Sequence, residues 1–300
     1  MTAHHTAGPG ALSRRMWRWT PAAADPILSA MSEPDYQYVT RDFEVLTGEA
    51  ARLLVEKTND RRYLTRDGGI HTVSIDRWKL AQDAERHRWL DLHPHLREDR
   101  NMDHAFMYDR YSVLTGRTFE NAIELGCGPF TNMALVAHRC KINRLTLLDP
   151  LIEDYMSHPN CLYRDGALAL TKGETLPVAE RVALPVEQFQ PEARYDLVVM
   201  LNVIEHCYNV PVIFRKIWDM TRPGGIMLFH DRYFDHAKVV AGAGRSFDTA
   251  HPLKVDRKLV NAFLQRFNGI FFRTVTTRGQ VSNSAPGEQV YFAGFKPEVA

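Results

Sequence analysis

The chain has little of what marks a disulfide-built, membrane-spanning or nucleic-acid-binding protein. Its four cysteines, Cys127, Cys140, Cys161 and Cys207, include no CxxC pair. That removes the usual zinc spacings and leaves no disulfide framework, so they read as reduced thiols of a cytoplasmic chain. No apolar run approaches the roughly 20 residues that a membrane-spanning helix requires. Arg14, Arg15 and Arg18 are not followed by an apolar stretch, and no secretory signal is expected. Neither sign of charge dominates: 37 basic residues face 36 acidic ones, for a net charge of +1. That balance gives no electrostatic reason for a polyanionic partner, so nucleic acid is not expected.

What the chain does have is core-forming material, 45% of its 300 residues being hydrophobic. Residues 1–32, rich in Ala, Pro, Gly and His, follow neither a helical nor a strand period and are expected to form a disordered tail. Residues 33–117 are expected to form an N-terminal helical cap. Its helices are placed at Asp42–Lys57, Asp76–Leu90 and His104–Leu114, and a turn at Asp67-Gly68-Gly69 leads into an extended stretch, Ile70–Ile75. From 118 to 300 strand and helix alternate, which is the signature of a mostly parallel sheet with helices on both faces. Seven strands are expected, at Asn121–Leu125, Leu145–Asp149, Arg181–Pro185, Asp196–Leu201, Ile226–His230, Phe271–Thr276 and Gln289–Phe295. Helices are expected at Asn132–Arg139, Val210–Thr221 and Asp256–Phe267. The long connection from Leu151 to Glu180 reads as an insertion.

The densest chemical signal is Glu124-Leu125-Gly126-Cys127-Gly128-Pro129-Phe130-Thr131-Asn132, a strand that ends in a tight Gly-x-Gly turn and feeds a helix. Glycines there tolerate positive φ and keep side chains out of a ligand's way, and the crevice past the strand ends is where such sheets bind ligands. A dinucleotide would ask for a third glycine where Thr131 stands, and Pro129-Phe130 would crowd a pyrophosphate. Glu124 suits a ligand carrying an ammonium group. Leu145–Asp149 is a buried-type strand ending in an acid whose carboxylate can accept from two ribose hydroxyls. Further on come Tyr195-Asp196-Leu197-Val198-Val199-Met200-Leu201-Asn202-Val203-Ile204-Glu205-His206 and Arg222-Pro223-Gly224-Gly225.

These elements, in this order, resemble the motifs of the class I S-adenosylmethionine-dependent methyltransferases over about Asn121–Asp231. The resemblance implies an α/β Rossmann-like domain and S-adenosylmethionine as cofactor. It implies a cofactor site built from Glu124, Gly126, Cys127, Gly128, Asn132, Asp149, Glu187, Asn202 and the aromatic Tyr111. The expected reaction is methyl transfer to an O or N atom of a small molecule. The alternatives are a catalytically degenerate fold that binds cofactor and regulates a partner, and an NAD-linked oxidoreductase.

Histidines at the strand ends face the acceptor side of such a sheet, and an imidazole with a pKa near 6.5 can take a proton as the methyl moves. His230, paired with Asp231, is the first candidate base, followed by His206 and then His251. His230, Asp231, His236 and His251 could also coordinate a divalent ion, although no metal is expected. The Gly-containing stretch Arg232–Lys254 reads as a lid.

Overall fold

The computed structural model describes residues 36–39, 45–47, 49–50, 53, 64–66, 69–97, 100–170, 173–234, 249–277 and 287–298. The expected tail, the Asp67-Gly68 part of the expected turn, His236 and the Gly242–Arg245 part of the expected lid lie outside them.

Three short strands open the described chain: β1 (Tyr36–Val39), β2 (Val45–Thr47) and β3 (Leu64–Arg66). They form an antiparallel sheet in the order β2-β1-β3. Residues 45–47 were expected in a helix; their β-branched Val45 and Thr47 suit the strand they form instead. Residues 49, 50 and 53 are helical. Helix α1 (Ile75–His87) starts where the Ser74 hydroxyl caps the Arg77 N–H at 3.2 Å, and it runs straight into a π-helical turn at Arg88–Leu92. The helix expected over His104–Leu114 is broken. Helix α2 (Asn101–Met107) ends before Asp109, Arg110 and Tyr111, whose φ angles of 50, 56 and 58° are left-handed and stop an α-helix; a 3-10 turn at Ser112–Leu114 follows.

The large sheet contains β4 (Thr118–Leu125), β5 (Lys141–Leu148), β6 (Ala167–Ala169), β7 (Thr175–Val182), β8 (Tyr195–Leu201), β9 (Thr221–Tyr233), β10 (Asn268–Thr277) and β11 (Gly287–Phe295). Their order is β10-β11-β9-β8-β4-β5-β7-β6. The five strands from β9 to β7 run parallel; β11 is antiparallel to β9, β10 to β11, and β6 to β7. Among the described residues this sheet thus has eight strands and not seven. The extra one, β6, comes from the Leu151–Glu180 connection and pairs with a β7 that begins at Thr175, six residues before the expected Arg181. Short helices α3 (Met133–Val136) and α4 (Ile152–Tyr155) follow β4 and β5, α5 (Val210–Met220) follows β8, and α6 (Arg257–Leu264) precedes β10. Residues 34–300 form one compact unit. No helix among the described residues is long and apolar enough to cross a membrane.

Strand β8 is buried at every position, as befits the centre of a sheet covered on both faces. Its alternate residues feed two cores. Val198 and Met200 join Phe214 of α5 and Phe263 of α6, and Leu197 and Val199 join Tyr108, Met133 and Leu145. In α5 the buried Val210, Ile213, Phe214 and Ile217 repeat at helical spacing, behind a cap in which Asn209 accepts from the Val212 N–H at 3.1 Å. Phe214 and Phe263 stack with centroids 4.1 Å apart and hold α5 to α6. Asp196, at the foot of β8, accepts from the Glu120 and Asn121 N–H groups at 2.8 and 2.9 Å and fixes β4 beside it. Of the stretch expected as a lid, Arg232 and Tyr233 finish β9 and Lys254 is bridged to Ile70, while residues 235–248 lie outside the described residues.

Candidate active site

The C-terminal ends of β4, β5 and β8 open into a cleft of about 1010 Å³, part of it continuous with solvent, walled on one side by α1. Gly126 and Gly128 make the turn after β4 with φ of 70 and 52°. They are glycines for different reasons. A Cβ on Gly126 would lie 2.4 Å from a Val203 methyl, so this position is closed by protein; a Cβ on Gly128 would meet nothing within 4 Å. The space over Gly128 belongs to the cleft. Cys127 also lines the cleft, its thiol 3.8 Å from the Tyr163 hydroxyl, and burial pushes that thiol well above the usual range.

Glu124 does not reach the cleft. One oxygen accepts from the backbone and side-chain amides of Asn132, both at 3.0 Å, and the other from the Thr131 hydroxyl and from the Met133 N–H at 3.3 Å. Burial raises its pKa to about 7 against the pull of those donors. The expected contact with a ligand ammonium is therefore replaced by a structural role. The carboxylate occupies the N–H groups at the start of α3, the groups that would otherwise receive a phosphate.

The remaining cofactor candidates converge. Asp149 accepts from the Gly128 N–H at 3.0 Å and the Leu151 N–H at 2.9 Å, which leaves each oxygen a free lone pair; burial raises it to about 6. Glu187 accepts from the Tyr208 and Asn209 N–H groups at 2.7 and 3.0 Å through one oxygen, while the other has no partner among the described residues; burial raises this carboxylate too. Asn132 Oδ1 and Asn202 Oδ1 are likewise buried without a partner among the described residues. Asn202 takes φ of 61°, a left-handed conformation that asparagine accepts. All four side chains line the cleft, and each offers it an acceptor. Tyr111 is not among them: it is 1% exposed and stacked on Tyr108, its hydroxyl in the core.

The base candidates separate. His230 is buried one layer behind the wall, its ring 4.5 Å from that of His104, which does line the cleft, and its Nε2 3.2 Å from Gln289 Oε1. Burial, with His104 beside it, holds its pKa well below the usual value; burial and then Arg100 hold His104 down at about 3. Asp231 is spent on the backbone, accepting from the Ile204 and Arg232 N–H groups at 2.8 and 2.7 Å, and burial followed by the Glu205 charge raises it to about 7. The pair expected at His230-Asp231 is thus structural: the two side chains are engaged in the interior, one with Gln289 and the other with backbone N–H groups, and neither lines the cleft. His206 and His251 do line the cleft, with ring centroids 4.5 Å apart. His206 Nδ1 lies 3.1 Å from the Ala250 carbonyl and 3.5 Å from Glu85 Oε1. A carbonyl only accepts, so Nδ1 carries the proton and Nε2 keeps the lone pair.

Glu85 was not singled out by its sequence. The signal was present: Trp78, Gln82, Glu85 and Trp89 fall at i, i+4, i+7 and i+11 and line one wall of the cleft. Trp78 Nε1 and Gln82 Nε2 donate to the His206 carbonyl at 3.1 and 3.0 Å, and Trp89 Nε1 donates to Glu85 Oε2 at 3.1 Å.

The family described as "Methyltransferase domain" matches residues 96–267. No curated protein matches the sequence. Among solved structures, the chain is similar to the N-methyltransferase NodS from Bradyrhizobium japonicum WM9 in complex with S-adenosyl-L-homocysteine, with 17% identity over 73% of this chain and 99% of that one and a TM-score of 0.50. It is also similar to the 1,6-didemethyltoxoflavin-N1-methyltransferase of Burkholderia thailandensis, at 16% identity over 74% of this chain and 87% of that one, with a TM-score of 0.45. With more than half its length matched by that family and its sheet built in this order, the chain belongs to the class I S-adenosylmethionine-dependent methyltransferases.

Proposed function

We propose that this enzyme methylates an O or N atom of a small molecule, and that the acceptor's proton leaves through His206. The observation that carries the cofactor half is the set of acceptors at the cleft, Asp149, Glu187, Asn132 and Asn202. They suit a ligand that brings donors: an ammonium group, two ribose hydroxyls and an adenine amine. They do not suit a pyrophosphate, and Glu124 already holds the N–H groups a phosphate would need.

S-adenosylmethionine supplies a sulfonium methyl that needs no further activation, so the protein's task is to align the acceptor and take its proton. His206 Nε2 is free to accept that proton, and Glu85 beside Nδ1 balances the imidazolium that results. His251, across the ring, narrows the acceptor's approach. The balanced net charge gives no electrostatic reason for a polyanionic acceptor, which agrees with a small molecule.

Isothermal titration with S-adenosylhomocysteine, with NADH as control, tests the cofactor half. Binding of the first alone is expected, and binding of NADH alone would overturn it. A tritiated-methyl screen of hydroxylated and amine metabolites tests the acceptor half. Cofactor binding without turnover on any acceptor would favour the degenerate, regulatory alternative.

A further inference from the structure

We propose that Glu85, His206 and His251 bind a divalent first-row transition-metal ion in the cleft, a proposal that rests on the preceding reading in placing that ion beside the acceptor. One ligand atom from each residue lies within 4.8 Å of the other two. Two imidazoles and a carboxylate are a donor set suited to zinc, iron, cobalt or manganese. At metal–ligand distances near 2.1 Å, tetrahedral ligands sit about 3.4 Å apart. The ligand atoms, now within 4.8 Å of one another, reach that spacing by shifts of about an ångström.

A second observation is a buried carboxylate that takes no hydrogen bond. Glu205 is 1% exposed, and neither of its oxygens accepts a hydrogen bond among the described residues; its ion pair is with His251 Nε2 at 3.5 Å. Together with Glu85 it brings two carboxylates to two imidazoles, with the Arg232 and Arg100 charges also acting on it. The outer contacts also have the form found around metal sites, where ligands are oriented by hydrogen bonds to their far atoms. The Ala250 carbonyl holds the far nitrogen of His206, and the Trp89 indole holds the far oxygen of Glu85. Of the set suggested by sequence, His251 belongs; His230 and Asp231 are buried elsewhere, and His236 lies outside the described residues. With an ion in place the His206 lone pair is committed to it, so the ion would replace His206 as the group that readies the acceptor, whose proton, acidified by the ion's charge, would pass to water.

The test is titration of metal-stripped full-length protein with Co²⁺ alone, followed by visible absorption, in the wild type and in Glu85→Gln and His251→Ala, with S-adenosylhomocysteine binding measured on each sample. One Co²⁺ per chain with d–d bands is expected. Each variant is expected to bind it more than about 100-fold more weakly, since even outer-shell changes cost about 10–100-fold. Glu85→Gln keeps an acceptor for Trp89 and guards against a misfolded His251 variant. No Co²⁺ binding by wild type that still binds S-adenosylhomocysteine overturns the metal site and leaves the preceding reading standing. Loss of both overturns both. Co²⁺ held equally by all three proteins sits elsewhere and also overturns the proposal.

Discussion

The proton on Asp149 gives the sharpest handle on cofactor binding. Burial raises this carboxylate to about 6, against the two N–H donors already on it. Only the ionised form can accept from both ribose hydroxyls, so binding favours the carboxylate and drives off a proton wherever the free protein carries one. At pH 8 the group is ionised and affinity is flat with pH. One unit below its pKa, at pH 5, about nine in ten molecules are protonated, and affinity for S-adenosylhomocysteine falls roughly tenfold, or about 1.4 kcal/mol. Asp149→Asn removes the titration. It also costs roughly 1.5–3 kcal/mol at pH 8, the loss expected of charge-assisted hydrogen bonds. Calorimetry at pH 5 and pH 8, in two buffers of different ionisation enthalpy, measures both the affinity and the proton count. Glu187, also raised by burial, faces the same cleft, so the comparison with Asp149→Asn isolates the contribution of Asp149. A variant that kept the full wild-type pH dependence would refute the assignment, as would wild-type affinity that rises on acidification.

The two glycines of the turn should fail differently. Both positions have left-handed φ and lose Tm on substitution, but Gly126→Ala also drives a methyl into Val203, whereas Gly128→Val meets no protein atom and loses S-adenosylhomocysteine binding. Thermal melts with and without ligand separate them. His206→Ala should lower kcat about 100-fold with cofactor affinity nearly unchanged, the low end for loss of a general base. His230→Ala should instead cost about 1–3 kcal/mol of stability in urea melts, because its ring packs between His104 and Tyr291. Glu124, raised from 4.5 to about 7, holds its proton in the folded state after the unfolded chain has released it. Its contribution to stability is therefore lost as pH rises between those values, by roughly 3 kcal/mol at most. Glu124→Gln should flatten that part of the pH–stability curve, and an unchanged curve would contradict the burial argument.

The parallel sheet was legible because its central strands contain short apolar runs, two of which end in a glycine or an acid, at Leu125-Gly126 and Leu148-Asp149. Asp149, Glu187 and Asn202, expected at the cofactor, were found lining the cleft, a location that follows from strand order alone. Glu124, Tyr111 and His230 were not. Each sits where a strand or turn reaches the right end of the sheet, and whether a side chain there faces the cleft or the core depends on packing between elements distant in sequence. His230 is decided by Tyr291 and His104, 61 and 126 residues away in the chain. Glu85 was hidden for the same reason, since its role exists only once α1 has docked on the turn after β8. The three consecutive left-handed residues at 109–111 include no glycine that would have announced them.

That docking is made to a peptide carbonyl, and every residue type supplies one. The wall of the cleft is thereby indifferent to which side chain stands at position 206, and selection can change the chemistry there without loosening the helix beside it. A fold arranged in this way can shift from one acceptor to another by single steps, each intermediate keeping an intact pocket around an altered reactive group.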